Sequence, residues 1–277
     1  MAIYRYLFAD LVTNAVLAEL PLSGVRFDLK LSAAGSFAAN LPLEDPRVSA
    51  LPFLAATLPG RTAVYVDRDG VLLWGGILWT RRATTGGLLE FAGLEFESYF
   101  AQRLITADAV FAATDQLTIA RSLVNTAQAK TGGSIGVDTT RLSNVSGVLR
   151  DRTYNGYELK PVLDALMQLS QVQNGFDFAI DVGYDATGAL AKTLNLGYPR
   201  RGVVAALSGF MFEYPGNVQS YVWPEDATMQ ATTTYATGAG WGPGQLRSTA
   251  TNAALISAGF RCWRRRRLTR MWSCRRP

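Results

Sequence analysis

Alternation of apolar and polar residues is clearest between residues 60 and 100. Three runs there have the composition of β-strands, at residues 62–66, 71–80 and 88–92. Asp69-Gly70 and Gly86-Gly87 separate them, and such dipeptides accept the positive φ that tight hairpins require. The segment therefore predicts a meander of antiparallel sheet.

Period-two alternation predicts further strands on both sides of this meander. Near the N-terminus, Val25, Phe27 and Leu29 alternate with polar residues. Later in the chain, strands are expected at residues 176–182, 190–196, 218–223 and 228–236. Residues 41–60 contain four prolines, which exclude a long helix or a central strand and leave room for one helical turn after Asp45.

Helical spacing of apolar residues appears in the middle of the chain. A short helix is expected within residues 94–104, and longer ones at 114–130 and 157–172. Thr114 or Asp115 can cap the N-terminus of the helix at 114–130. Residues 134–155, which are rich in Gly, Ser, Thr and Asn, are expected to form a loop.

The predicted strands therefore flank a part that contains the helices. This pattern favours an α+β fold rich in β-structure. One economical arrangement is a barrel-like antiparallel sheet whose first part is residues 1–105. Residues 196–260 would supply return strands of the same β domain, and residues 106–195 would be an inserted α+β subdomain. Residues 261–277 form a basic tail.

The composition is that of a folded chain. Its 277 residues are 48% hydrophobic, which is enough for a substantial core. The sequence has no run of 18 apolar residues, so no transmembrane helix is expected. The apolar N-terminus is interrupted by Asp10, Asn14 and Glu19, and we interpret it as a strand and turn rather than a signal peptide.

The net charge of +5 comes from residues 261–277, which contain eight arginines and no acidic residue. Without them the net charge would be about −3. The tail could bind nucleic acid or another anionic surface, or serve as a packaging or targeting tag. The interpretation we favour is a shifted reading frame of GC-rich DNA after residue 260, with a further C-terminal part missing. Cys262 and Cys274 also lie in this tail. Residues 1–260 therefore contain no cysteine and give no indication of the redox compartment.

The chain contains no histidine, which excludes the common catalytic triads and the common zinc sites. No cofactor or metal is expected. Glu95 and Glu97 could be offered as a hydrolase pair, although acidic residues also favour the start of a helix. Asn174 with Asp177, Asp181 and Asp185 could suggest calcium, but a polar strand face is the simpler interpretation.

Five aromatic residues are candidate interface or ligand-binding residues. Trp74 and Trp79 lie five apart on one predicted strand, so they should point to opposite faces unless Gly75-Gly76 forms a bulge. One of the two would pack inside, and the other would face a neighbouring subunit or a ligand. Tyr214, Tyr221 and Trp223 cluster late in the chain, where exposed rings would serve a subunit interface or a glycan.

Several stretches also carry a family resemblance. They are VYVDRDGVLLWGGILWTRR (64–82), GVLRDRTYNGYELKPVLDAL (147–166), NGFDFAIDV (174–182), LGYPRRG (196–202) and FEYPGNVQSYVWPEDAT (212–228). Together they resemble the minor tail proteins of siphophages and prophages of actinobacteria, which are similar to tail-tip or baseplate hub components. None of these stretches is a catalytic signature.

The resemblance implies a structural protein without enzymatic activity. It implies barrel domains with insertions, self-assembly as a trimer, contacts with other phage tail proteins, and possible attachment to host envelope glycans. The location would be the virion tail, and the host cytoplasm during assembly. The alternatives are a carbohydrate-binding module using Trp79 or Trp223, a carboxylate-dependent cell-wall hydrolase using Glu97, and a nucleic-acid arm formed by the arginine tail.

Overall fold

The computed structural model describes residues 2–228, 230–238, 242–261 and 264–268. The chain divides into two compact units, Met1–Ser208 and Gly209–Pro277. Among the described residues, no helix is long and apolar enough to span a bilayer.

The first unit begins with a seven-stranded sheet in which every neighbouring pair is antiparallel. The predicted meander is confirmed, with its middle strand extending further than the apolar run alone indicated. The helical turn expected after Asp45 is also confirmed, and Asp45 accepts a hydrogen bond from the Arg47 N–H. The elements are β1 (Tyr4–Asp10), β2 (Val16–Glu19), β3 (Ser23–Phe27), β4 (Ser36–Pro42), α1 (Pro46–Ser49), α2 (Phe53–Ala56), β5 (Thr62–Arg68), β6 (Val71–Ala83) and β7 (Leu88–Glu95).

The sheet is curled but its ladder is not closed, so the closed barrel is a correction to the sequence prediction. The strand order is β2-β1-β5-β6-β7-β4-β3, and the two edge strands, β2 and β3, do not pair with each other. Only three residues, 20–22, connect them. Because consecutive Cα atoms are about 3.8 Å apart, this connection brings the two edges within about 15 Å.

The inner face of the curled sheet holds one hydrophobic core. Its side chains come from strands throughout the sheet, and Val48 of α1 and Ala56 of α2 pack at the same cluster. We call this set the inner core: Phe8, Ala18, Leu20, Phe37, Ala39, Leu41, Val48, Ala56, Val64, Val66, Trp74, Leu78, Leu89 and Phe91.

The middle of the chain forms a helix-containing part of the first unit. Its elements are α3 (Glu97–Ala101), β8 (Ala109–Asp115), α4 (Gln116–Gln128), β9 (Val137–Asp138), β10 (Leu149–Tyr154), α5 (Val162–Ser170), β11 (Asp177–Tyr184) and β12 (Leu190–Gly197). Asp115 caps α4 by accepting from the N–H groups of Leu117 and Thr118. The last helix starts later than expected because Leu159 has a left-handed backbone, with φ of 46°.

The region expected to be loop, residues 134–155, contains the two strands β9 and β10, so that prediction is wrong in part. Strand β10 pairs antiparallel with β8, and the pairing is interrupted by a register shift between Arg150 and Arg152. The predicted hairpin of residues 176–196 is confirmed as β11 and β12, whose pairing runs from Asp177 with Gly197 to Tyr184 with Leu190.

A second core lies on the other face of the curled sheet. Leu7 of β1, Tyr65 of β5 and Ile77 of β6 project from that face. They pack in one cluster with side chains of α3, α4, α5 and the β11–β12 hairpin. The helix-containing part of the first unit therefore covers one side of the sheet.

The described strands after residue 197 do not join the seven-stranded sheet, which corrects the expected return strands of residues 196–260. The first unit ends with α6 (Ala205–Ser208). In the second unit, β13 (Thr233–Thr237), β14 (Arg247–Thr251) and β15 (Arg264–Leu268) form their own sheet in the order β14-β13-β15, with α7 (Ala253–Ser257) after β14. Most of the arginine tail lies outside the described residues.

The predicted strand at residues 218–223 is also wrong. Pro215 and Pro224 bracket this stretch, and its backbone makes no described ladder with another strand. The strand predicted at residues 228–236 begins only at Thr233. Proline removes a backbone donor and fixes φ, which disfavours a ladder at both ends of such a short segment.

Candidate interaction surfaces

Trp74 and Trp79 lie on opposite faces of β6, as their odd spacing predicts. Trp74 has no exposed surface and stacks on Phe37 with a centroid distance of 5.0 Å. Its indole Nε1 donates to the Asp28 carbonyl at 3.2 Å. Trp79 is half-buried against the second core and donates to the Ser98 hydroxyl at 2.9 Å. Trp74 is thus the member of the pair that packs inside.

The glycines between these tryptophans do not form a bulge. Gly75 and Gly76 stay in register with Tyr65 and Val64 of β5. A Cβ at Gly76 would lie 2.2 Å from the Leu94 carbonyl oxygen, so the close approach of β7 requires glycine there. The bulge on the β7 side of β6 lies instead between Leu78 and Thr80, at Trp79 itself.

The other three candidate aromatics lie in an exposed stretch of the second unit. Tyr214, Tyr221 and Trp223 are 60%, 65% and 80% exposed. Further large apolar side chains of the same stretch are equally exposed. We call residues 210–223 the aromatic segment, and its exposed apolar members are Phe210, Met211, Phe212, Tyr214, Tyr221, Val222 and Trp223.

The aromatic segment is folded back on itself by one asparagine. The Asn217 Oδ1 accepts from the Glu213 N–H at 2.8 Å, and its Nδ2 donates to the Met211 carbonyl at 2.5 Å. Tyr214 and Tyr221 meet edge to face with their centroids 5.3 Å apart. The turn thus holds several large apolar side chains in solvent. Clustered exposure of this kind marks interaction sites more often than scattered single residues do.

Sequence reasoning found the tyrosines and Trp223 but missed Phe210, Met211 and Phe212. The available signal was the run of large apolar residues in GFMFEY, followed by Pro-Gly. That run has neither strand nor helix periodicity, so the pattern alone does not distinguish an exposed segment from a buried strand.

Glu95 and Glu97 connect segments of the first unit rather than lining a cleft. The Glu95 Oε2 accepts the Gly35 N–H at 2.5 Å and the Lys30 N–H at 3.3 Å. The Glu97 Oε1 accepts the Ile180 N–H of β11 at 2.5 Å. Burial raises the pKa of both carboxyl groups, to about 8 for Glu97. Such groups hold backbone donors that a curved sheet leaves without a strand partner.

The acidic residues of β11 are likewise held by protein donors. The Asp177 Oδ2 accepts the Arg201 N–H at 2.9 Å, and Asp181 accepts from Arg201 and from Asn195, both at 2.6 Å. Asp185 closes the hairpin turn through Thr187 and Ala189. No group of three or more potential metal ligands occurs within the part of the chain that the structure describes.

Lys192 is a buried cation that sequence reasoning missed. Its ammonium donates to the carbonyls of Leu11 at 2.6 Å and Ile135 at 2.5 Å, and it lies 4.9 Å from the centre of the Phe96 ring. Burial lowers the pKa of Lys192 to about 7. The signal was present in β12, because Leu190, Lys192 and Leu194 share one face and the two leucines are apolar.

No family model matches the sequence, and no curated protein matches it. Solved structures do match. The chain is similar to the 43 kDa tail protein of prophage MuSo2 from Shewanella oneidensis, with 11% identity, a TM-score of 0.53, and coverage of 98% of this chain and 69% of that one. It is also similar to prophage tail protein gp18 from Listeria monocytogenes EGD-e, with 12% identity, a TM-score of 0.52, and coverage of 94% and 71%.

A tail protein from Neisseria meningitidis MC58 matches with 12% identity and a TM-score of 0.47, over 95% of this chain and 65% of that one. The chain therefore spans about two thirds of the length of these proteins. At such identities the likeness to the Shewanella and Listeria proteins establishes a shared fold: a strand-rich α+β architecture with a large antiparallel sheet.

Proposed function

We propose that the chain is a structural component of a phage or prophage tail, located in the virion tail and assembled in the host cytoplasm. The carrying observation is the fold, which is shared over nearly the whole chain with two prophage tail proteins. A tail-tip or hub position, in a siphophage of actinobacteria, is the finer form of the proposal. It rests on the sequence resemblance of the stretches given above.

The role we propose is assembly rather than catalysis. The carboxylates that could have formed a hydrolase pair each accept backbone N–H groups of distant segments. The aromatic segment is the contact surface in this proposal, with Tyr214, Tyr221 and Trp223 as its ring anchors. Tyrosine and tryptophan contribute disproportionately to binding at protein interfaces, because they bury a large area with few rotatable bonds. The partners would be other copies, as a trimer, and neighbouring tail proteins.

The location is tested by immunogold electron microscopy of particles released from the source strain after induction, with an antibody raised against the full chain. We expect label at the distal end of the tail. Particles from a strain lacking the gene serve as the control. Intact tailed particles without any label would overturn the proposal. Label along the tail tube would overturn only the tail-tip position.

The contact surface is tested by complementing that deletion strain with the double variant Tyr221→Ser/Trp223→Ser. Tyr157→Ser is a matched control, because Tyr157 is 81% exposed but belongs to the first unit. We expect the double variant to be lost from particles while the control is incorporated. Normal incorporation combined with reduced adsorption to cells would instead favour the alternative, in which these rings bind an envelope glycan.

A further inference from the structure

A polar pocket of about 540 Å³ lies where β12 ends and the chain turns back. Its polar side chains are those of Asn144, Asn195, Tyr198, Arg200 and Arg201. Neither the aromatic segment nor the buried glutamates line it. The pocket is therefore a separate feature of the first unit.

The turn after β12 is tightly packed, which fixes one side of the pocket. A Cβ at Gly197 would lie 2.5 Å from the Arg201 Cγ and 2.7 Å from its backbone nitrogen, so the returning chain needs glycine there. The Arg201 backbone N–H donates to Asp177, and its guanidinium pairs with Asp181 at 2.6 Å. Arg201 is thus held in place before any ligand arrives.

The charge of the pocket is positive. Its lining contains two arginines and no acidic residue. Two carboxylates lie beside Arg201: Asp181 pairs with its guanidinium and Asp177 accepts its backbone N–H, so Arg200 is the lining cation that these carboxylates leave unpaired. Arg200 makes no hydrogen bond or ion pair with the residues that the structure describes. A third guanidinium stands behind the lining, because Arg121 donates to the Asn144 Oδ1 at 2.8 Å.

The same pocket offers groups that suit hydroxyls. Asn195 uses its Nδ2 to donate to Asp181 at 2.6 Å, and within the described residues no donor reaches its Oδ1. A carboxamide oxygen in that state accepts a hydroxyl proton. The Tyr198 hydroxyl can donate or accept. Cationic and hydroxyl-binding groups therefore line one open depression of the surface.

We propose that this pocket binds the phosphate group of a phosphorylated polyol, with Arg200 and Arg201 on the phosphate oxygens and Asn195 and Tyr198 on neighbouring hydroxyls. Guanidinium groups match phosphate in geometry and charge, and their hydrogen bonds to it are about twice as strong as neutral ones. The proposal does not depend on the tail role, since it rests only on the pocket.

The test is isothermal titration calorimetry of the full chain at low salt with glycerol 3-phosphate, inorganic phosphate and glycerol. We expect glycerol 3-phosphate to bind best, inorganic phosphate more weakly and glycerol not at all. Arg200→Ala should weaken glycerol 3-phosphate by about tenfold or more, the effect of losing one charge-assisted hydrogen bond. Tyr198→Phe should weaken glycerol 3-phosphate and leave inorganic phosphate unchanged.

Arg68→Ala is the matched control, because it removes one exposed positive charge from β5, outside the pocket. It should leave the affinity unchanged. Equal weakening by Arg68→Ala and Arg200→Ala, or absence of glycerol 3-phosphate binding to the unmodified chain, would overturn the proposal. Equal affinity for inorganic phosphate and glycerol 3-phosphate would overturn the assignment of a polyol. Circular dichroism of each variant confirms that the fold is retained.

Discussion

Replacing Glu97 by glutamine should change how the stability of the first unit depends on pH. Glu97 is 2% exposed, and its Oε1 accepts the Ile180 N–H. Its Oε2 has no hydrogen-bond partner among the described residues. Burial raises the pKa of Glu97 from 4.5 to about 8, so the folded chain keeps this carboxyl group protonated at neutral pH.

The sign and size of the effect follow from these two pKa values. Below pH 4.5 the carboxyl group is protonated in both states, and its contribution to stability is fully present. As the pH rises towards 8, the unfolded chain releases the proton first, so the free energy of unfolding falls. At 1.36 kcal/mol per pH unit the total loss has a ceiling of about 5 kcal/mol.

The assay is urea denaturation followed by far-ultraviolet circular dichroism at pH 5, 6, 7 and 8. We expect the contribution of Glu97 to fall by up to about 4 kcal/mol over this range, so the stability of the unmodified chain should fall relative to Glu97→Gln by that amount, because the amide does not ionise. Glu90→Gln is the control, since Glu90 is partly exposed and pairs with Arg82. Its slope should match the unmodified chain. An unchanged slope in Glu97→Gln would refute the reasoning.

Three further substitutions test the packing of the two tryptophans and the role of the buried cation. Trp74→Ala should destabilise the first unit by about 3–5 kcal/mol, because it removes a fully buried ring stacked on Phe37. Trp79→Ala should cost less stability, since Trp79 is only half-buried. Urea denaturation of both variants measures the difference, and equal losses would contradict it. Lys192→Met should abolish a rise in stability between pH 7 and 10, because the lowered pKa of Lys192 makes the unfolded chain bind the extra proton in that range. Melting temperatures at pH 7 and pH 10 provide the measurement, and a rise that persists in the variant would count against this origin.

The sequence was most informative where pairing is local. The meander of β5, β6 and β7 could be predicted because each strand pairs with the next one across a short turn. The β11–β12 hairpin shares this property. In such pairs, alternation and the turn dipeptide together specify the register, so no distant information is needed.

Long-range pairing explains most of the misses. Strand β10 has the polar sequence LRDRTY, and its partner β8 precedes it by more than 30 residues. Nothing within β10 distinguishes it from a loop. Whether the ladder closes depends on how β2 and β3 meet, and alternation within each strand carries no information on that. Residues 218–223, the end of the aromatic segment, were misread as a strand for the opposite reason: their composition is strand-like, but no described strand pairs with them.

The candidate sites show the same difference between local and long-range information. Tyr214, Tyr221 and Trp223 could be selected from composition, because an exposed ring needs no partner to be recognised. Glu97 could be named but not interpreted, since its partner Ile180 lies 83 residues away.

Glu97 and Lys192 together show how distant segments of the first unit are joined. The Glu97 carboxyl group in α3 accepts a hydrogen bond from the Ile180 N–H of β11. The Lys192 ammonium donates to the carbonyls of Leu11, just after β1, and of Ile135, just before β9. Burial shifts the pKa of each group towards its neutral form. An apolar contact tolerates sliding between the segments it joins, whereas a hydrogen bond requires its donor and acceptor to be aligned. If that is their role, Glu97→Leu should preserve stability at pH 8 better than it preserves hydrogen-exchange protection of the Ile180 N–H, because the leucine fills the space but accepts no hydrogen bond.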